Sequence, residues 1–139
     1  AAEPIGGGEL VLVVDDEPMV RKMNGRMLER YGYRPLLAGS GEQAREIARR
    51  QSEPIALLIT DVVMPGLGGL ALAEALQAEY PDLRVLYVSG YAENAIVHQG
   101  ELDPALHFLA KPYTPQRLAQ KVREVLDSPA EKSPPDKPA

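Results

Sequence analysis

Asp15, Asp16 and Asp61 each follow a run of apolar residues, and Lys111 stands in the same situation near the other end of the chain. The stretch "VLVVDDEPM" is the sharpest case: four apolar residues run straight into Asp15, Asp16 and Glu17, and then Pro18. Like charges a few ångströms apart repel by roughly 4 kcal/mol per pair at about 4 Å and an effective dielectric near 20. A divalent cation relieves that repulsion, and an oxygen-only donor set suits magnesium, which keeps several waters and takes few protein ligands. With Mg²⁺ in place, one carboxylate can act as a nucleophile toward a phosphoryl group. The metal and Lys111 would then offset charge on the phosphoryl oxygens, and the Ser89 hydroxyl would donate to one of them. Asp61, between the acid pair and Lys111 in the chain, is the expected nucleophile, because it ends an apolar run and precedes the tight turn of "VVMPG".

Those groups meet only if the chain brings them to one place. Five short runs rich in Val, Ile and Leu read as strands: Leu10 to Val14, Arg34 to Ala38, Ile55 to Thr60, Val85 to Val88 and Leu106 to Ala110. The first and third are continuously apolar, the pattern of parallel strands covered on both faces. Between them lie segments of helical period. Pro18 to Tyr31 carries Val20, Met23, Met27 and Tyr31 on one side, and Ser40 to Gln51 carries Ala44, Ile47 and Ala48. Gly69 to Glu79 carries Leu72, Ala73 and Leu76, and Pro115 to Leu126 carries Leu118, Val122, Val125 and Leu126. Ser40 with Gln43 forms a capping box, and Thr114 precedes Pro115 at a first helical position. Ala92 to Gly100 reads as a short helix. Strand and helix in alternation predict an α/β fold, a five-stranded parallel sheet of flavodoxin-like order 2-1-3-4-5 with helices on both faces. Ligands of such sheets bind beyond the carboxyl ends of the strands. Four of the five strands deliver polar groups there: Asp15 and Asp16, Asp61, Ser89, and Lys111.

Composition bounds the rest. The chain has 139 residues, 45% hydrophobic, which suits one domain with one core. It has no cysteine, so disulfides and thiolate metal sites are excluded and a cytoplasmic setting is expected. Fifteen basic against twenty acidic residues give a net charge of −5, which argues against nucleic acid or an anionic membrane as partner. No apolar run has the length of a membrane span, and "AAEPIGGGEL" lacks the features of a signal peptide. The expected organisation is a flexible N-terminal linker over residues 1–8, one domain over 9–127, and a disordered Pro-rich tail over 128–139.

Taken singly, each chemical signal has a plain structural explanation. Asp16 and Glu17 before Pro18 read as helix N-caps, Asp61 and Ser89 as turn residues, and Lys111 as a solvated strand end. Phe108 reads as core, and His98 and His107 as solvated, with no metal role. It is the joint placement at one sheet edge that favours a site. An Mg²⁺-dependent phosphatase with an aspartyl nucleophile would use the same ingredients, although "DDEP" lacks a D-x-D spacing. A docking domain indifferent to phosphate would need none of them. A nucleotide or flavin binder lacks its glycine-rich loop after the first strand.

The segments "VLVVDDEP", "LLITDVVMPGLGG", "VLYVSGYAE" and "HFLAKPY" resemble the receiver (response regulator) domains of two-component signalling, over about residues 9 to 127. "SGYAENAIVHQGELDP" and "LAKPYT" are most like receivers at the C-terminus of hybrid sensor histidine kinases. The resemblance implies that Asp61 accepts a phosphoryl group from the phospho-histidine of a histidine kinase or histidine phosphotransfer domain. It implies Mg²⁺ on Asp16, Asp61 and the backbone carbonyl of Val63, with Asp15 acting through water. It also implies phosphoryl contacts from Ser89 and Lys111, and a cis peptide between Lys111 and Pro112. Ser89 and Phe108 would be the switch pair, standing where Thr and Tyr are commoner. The switch would re-shape a protein-binding face formed by the fourth helix, the fifth strand and the last helix. Val63 and Tyr91, each two residues beyond a site residue, would rim the site; neither can orient a water, so slow hydrolysis of the phosphoryl group is expected. A domain of this kind needs no nucleic acid and no membrane contact. It would act in the cytoplasm, alone or as the cytosolic part of a membrane-bound hybrid kinase.

Overall fold

Five parallel strands in the order β2-β1-β3-β4-β5 form the sheet of the computed structural model, which describes residues 6–62, 66, 68–89 and 107–128. The strands are β1 (Leu10–Val14), β2 (Arg34–Ala38), β3 (Leu57–Asp61), β4 (Arg84–Ser89) and β5 (His107–Ala110). The helices are α1 (Pro18–Arg30), α2 (Gly41–Arg50), α3 (Gly69–Glu79) and α4, the last helix (Pro115–Asp127). The expected α/β architecture and strand order are those observed. The predicted helix Ala92 to Gly100 and residues 129–139 of the predicted tail lie outside the described residues. Ser128, assigned to that tail by sequence, finishes α4: its N–H donates to Val125 O at 3.2 Å and its carbonyl accepts from Arg84 Nε at 2.9 Å.

The continuous apolar runs have their reason in the two cores. Successive strand residues point to opposite faces. Leu12, Val14 and Leu58 pack with Ala44, Ala48, Leu72 and Leu76 of α2 and α3 on one side. Val11, Val13, Leu57 and Ile59 pack with Leu28 of α1 and with Leu118, Val122 and Val125 of α4 on the other. Both faces are buried, so alternation would put polar groups into a core, and each fully buried Leu or Val contributes about 1.5 to 3 kcal/mol.

Several local features depart from the sequence expectations. In α1 the buried residues are Asn24, Gly25 and Leu28, while Met23, expected inside, is 49% exposed. The regular ladder of β3 starts at Leu57 instead of Ile55, after Ala56 N–H has joined Leu10 O at 2.9 Å. Gly6 N–H donates to Tyr31 O at 2.6 Å and Gly8 N–H to Gly32 O at 3.0 Å, so this part of the lead-in is tied to the turn between α1 and β2. His107 is partly buried, with its Nε2 3.4 Å from the Ser128 hydroxyl. The cap side chains accept as expected, Ser40 Oγ from Gln43 N–H and Thr114 Oγ1 from Arg117 N–H, but the capping box is only half formed. Gln43 reaches back to Gly39 N–H instead of the cap residue's own amide.

Candidate functional site

The register brings the polar strand ends level. Val14 is opposite Thr60, so Asp15 leaves β1 beside Asp61 at the end of β3; Asp61 is opposite Val88, and Ser89 is opposite Ala110, the residue before Lys111. Two backbone contacts hold Asp61 in place. Val62 N–H donates to Val88 O at 3.1 Å, and Gly69 packs so closely on the Asp61 carbonyl that a Cβ there would lie 2.1 Å from its oxygen. Only glycine allows α3 to start that near the strand end.

Lys111 Nζ donates to Asp61 Oδ2 at 2.7 Å and stands 3.5 Å from Asp15 Oδ2. The Lys111–Pro112 peptide is cis. Asp15 is buried, and its Oδ1 accepts from Glu17 N–H at 2.9 Å, the contact that caps the start of α1; Glu17 makes no side-chain cap bond. Asp15 Oδ2 is buried with no hydrogen bond. Asp16, next in the chain, is exposed. Burial pushes the Asp15 carboxyl above the ordinary carboxylate range, as do the charges of Asp61 and Asp16, against the Glu17 N–H and Lys111, which pull it down. Burial works against the Lys111 ammonium, but the hydrogen bond to Asp61 and the charges of Asp15 and Asp61 outweigh it, so Lys111 titrates above the ordinary lysine value. The cluster therefore carries fixed charge of both signs, with an orphaned carboxylate oxygen inside it.

That oxygen, in an all-oxygen donor set, fits a hard divalent cation. Among the described residues no group of three His, Cys, Asp or Glu side chains is gathered closely enough to hold a metal ion. Val63 and Tyr91, whose carbonyl and side chains enter the sequence expectations, lie outside the described residues; for Ser89 only the backbone is described. Phe108 is partly buried against the α2/α3 core.

Three residues near the site had no assigned role in the sequence expectations. Arg21 Nη1 donates to Asp15 O at 2.7 Å, fastening the first turns of α1 to the acid-bearing loop. The Tyr113 hydroxyl donates to Asn24 Oδ1 at 2.9 Å. Arginine on a helix and tyrosine after Lys-Pro carry no periodic signal, so only the tertiary structure pairs them.

The sequence profile of the response regulator receiver domain matches residues 11–123. Among curated proteins the chain is similar to the sensor kinase CckA of Brucella abortus, 36% identical over 91% of this chain and 13% of that protein. It is also similar to the response regulator receiver protein CpdR of the same organism, 30% identical over 84% of this chain and 95% of that one. The chain thus spans about an eighth of the sensor kinase and nearly all of the receiver protein. Of solved structures, a receiver domain protein from Clostridium thermocellum aligns with a TM-score of 0.73 at 28% identity, covering 86% of this chain and 94% of that one. The chemotaxis protein CheY4 of Vibrio cholerae aligns at 0.74 and 25% identity, covering 86% and 99%. With the fold, the strand-end acids and these relatives in agreement, the chain belongs to the response regulator receiver domain family of two-component signalling.

Proposed function

We propose that Asp61 is the phosphoryl acceptor of this receiver domain, with Lys111 as the cation that contacts the transferred group. The observation that carries this is the 2.7 Å contact between Lys111 Nζ and Asp61 Oδ2 at the carboxyl end of β3. An Asp61 carboxylate oxygen attacks the phosphorus of a phospho-imidazole; the new P–O bond forms as the P–N bond breaks, and the leaving imidazole takes up a proton. Lys111 moves from pairing Asp61 to pairing a phosphoryl oxygen, and Ser89 donates to another. Mg²⁺, held by Asp16, Asp61 and the Val63 carbonyl with Asp15 acting through water, would supply charge neutralisation on the phosphoryl oxygens. Receiver domains work with histidine kinases and downstream proteins. For this chain the donor is a histidine kinase or phosphotransfer domain, and the downstream surface includes β5 and α4. No helix among the described residues is long and apolar enough to cross a membrane, and we place the domain in the cytoplasm.

Intact mass after incubation with Mg²⁺ and acetyl phosphate tests the assignment. The wild type should gain one phosphoryl group and Asp61→Asn none. An adduct that persists in Asp61→Asn would move the acceptor elsewhere, and repeated turnover of phosphate esters would favour a phosphatase.

A further inference from the structure

Asn24 is the exception in α1: an amide in the middle of a helix, on the face that packs against the sheet, only 2% exposed. A buried amide without a partner is expensive, and Leu at this position would serve the core better. Its Oδ1 accepts from the Tyr113 hydroxyl at 2.9 Å. Tyr113 lies two residues beyond Lys111 and packs partly buried against the core of β1, β3 and α4. The short segment Lys111–Thr114 is fixed along the chain by β5 before it and by the Thr114 cap of α4 after it. Sideways, the Tyr113 hydroxyl fastens it to α1, the helix that follows Asp15 and Asp16 directly. One hydrogen bond thus links the segment that brings the cation to the segment that brings the acids.

We propose that the Tyr113–Asn24 hydrogen bond makes both residues positioning residues for Lys111, setting its ammonium against Asp61 and Asp15. Neither touches the reacting atoms. The inference rests on the assignment of Asp61 as acceptor and Lys111 as its cation. Lys111 has a long flexible stem, and the direction in which that stem leaves the backbone decides whether Nζ reaches Asp61. A shift of about 1 Å in such a group is enough to change a rate by an order of magnitude or more.

A merely structural bond and a positioning bond are separated by the double variant Asn24→Leu/Tyr113→Phe. Each single change strands a polar partner or a cavity, whereas the double change replaces both partners with apolar groups, which restores stability. Three quantities are measured for wild type, both singles and the double: thermal midpoint, rate of acyl-phosphate formation from acetyl phosphate with saturating Mg²⁺, and the Lys111 ¹⁵Nζ resonance, assigned with Lys111→Arg. The expected result is a double variant with the thermal midpoint of the wild type, a phosphorylation rate about tenfold lower, and a displaced Nζ signal. Recovery of the rate together with stability, or an unmoved Nζ signal in all variants, overturns the proposal. If the wild type forms no acyl phosphate, the acceptor assignment fails, and the Nζ signal alone decides positioning: displaced supports it, unmoved overturns it.

Discussion

The two edges of the sheet treat charge in opposite ways. At the amino edge, Glu9 accepts from Gly7 N–H and faces Arg123 Nη1 at 3.4 Å, and Arg123 also pairs with Asp127 at 2.9 Å. Arg34 pairs with Glu53 and donates through Nε to Gly8 O, and Arg84 donates to Ser128 O. Burial pushes the Glu9 carboxyl up, but its backbone hydrogen bonds and Arg123 outweigh it and hold it below the ordinary value. At the carboxyl edge, two carboxylates share one ammonium, and Asp15 is held above its ordinary value with an oxygen left without a hydrogen bond. One edge uses its charges to hold elements together; the other gathers Asp15, Asp61 and Lys111 at the strand ends, where the proposed chemistry would take place.

Four substitutions test this contrast. Lys111→Met should affect chemistry most, slowing acyl-phosphate formation about a hundredfold with the fold intact by circular dichroism. A rate within twofold of wild type would mean that the carboxyl edge does not depend on Lys111. Gly6→Ala comes next and touches only the amino edge, because its Cβ would lie 2.7 Å from the Tyr33 ring. A loss of about 2 kcal/mol in urea unfolding is expected, with phosphorylation unchanged. Asp15→Asn should stabilise the Mg²⁺-free protein by about 1 kcal/mol near neutral pH, since it removes a buried charge and keeps the cap on Glu17 N–H. Its pH dependence has a definite sign. A carboxyl raised in the folded state favours folding when protonated, so the wild type should match Asp15→Asn at low pH and fall behind as pH rises past the ordinary value of 3.8. Glu9→Gln is the smallest and has the opposite sign. A lowered carboxyl stabilises when ionised, so the wild type should lead by about 0.5 kcal/mol above the ordinary value of 4.5 and lose that lead as pH falls below it. Parallel pH profiles for the two variants would erase the distinction between the edges.

Much of this was legible in the sequence because it rests on local pattern. Continuous apolar runs in β1 and β3 follow from two buried faces, and a parallel sheet places the residues after those runs on one edge whatever the loops do. The inner face of α1 was not legible. A periodic reading prefers Met23 to Asn24, since it weighs transfer free energy and cannot know that a hydroxyl 89 residues away will satisfy the amide. The lead-in was hidden for a related reason. Three consecutive glycines read as a joint, yet Gly6 is needed where the chain crosses the Tyr33 ring, and Gly8 has a φ of +83°. Composition records that a residue is permissive; only contacts show what the permission is used for.

The two hydrogen bonds from Gly6 and Gly8 to Tyr31 and Gly32 also have a mechanical meaning. Tension applied to the chain at Gly6 meets these bonds before it reaches Leu10 and the sheet. They would rupture first, at low force, lengthening the tether by a few residues while both cores and the acid edge keep their shape. The lead-in, held also by Arg34 Nε on Gly8 O, should thus yield before strain passes from the chain into the register that holds Asp61.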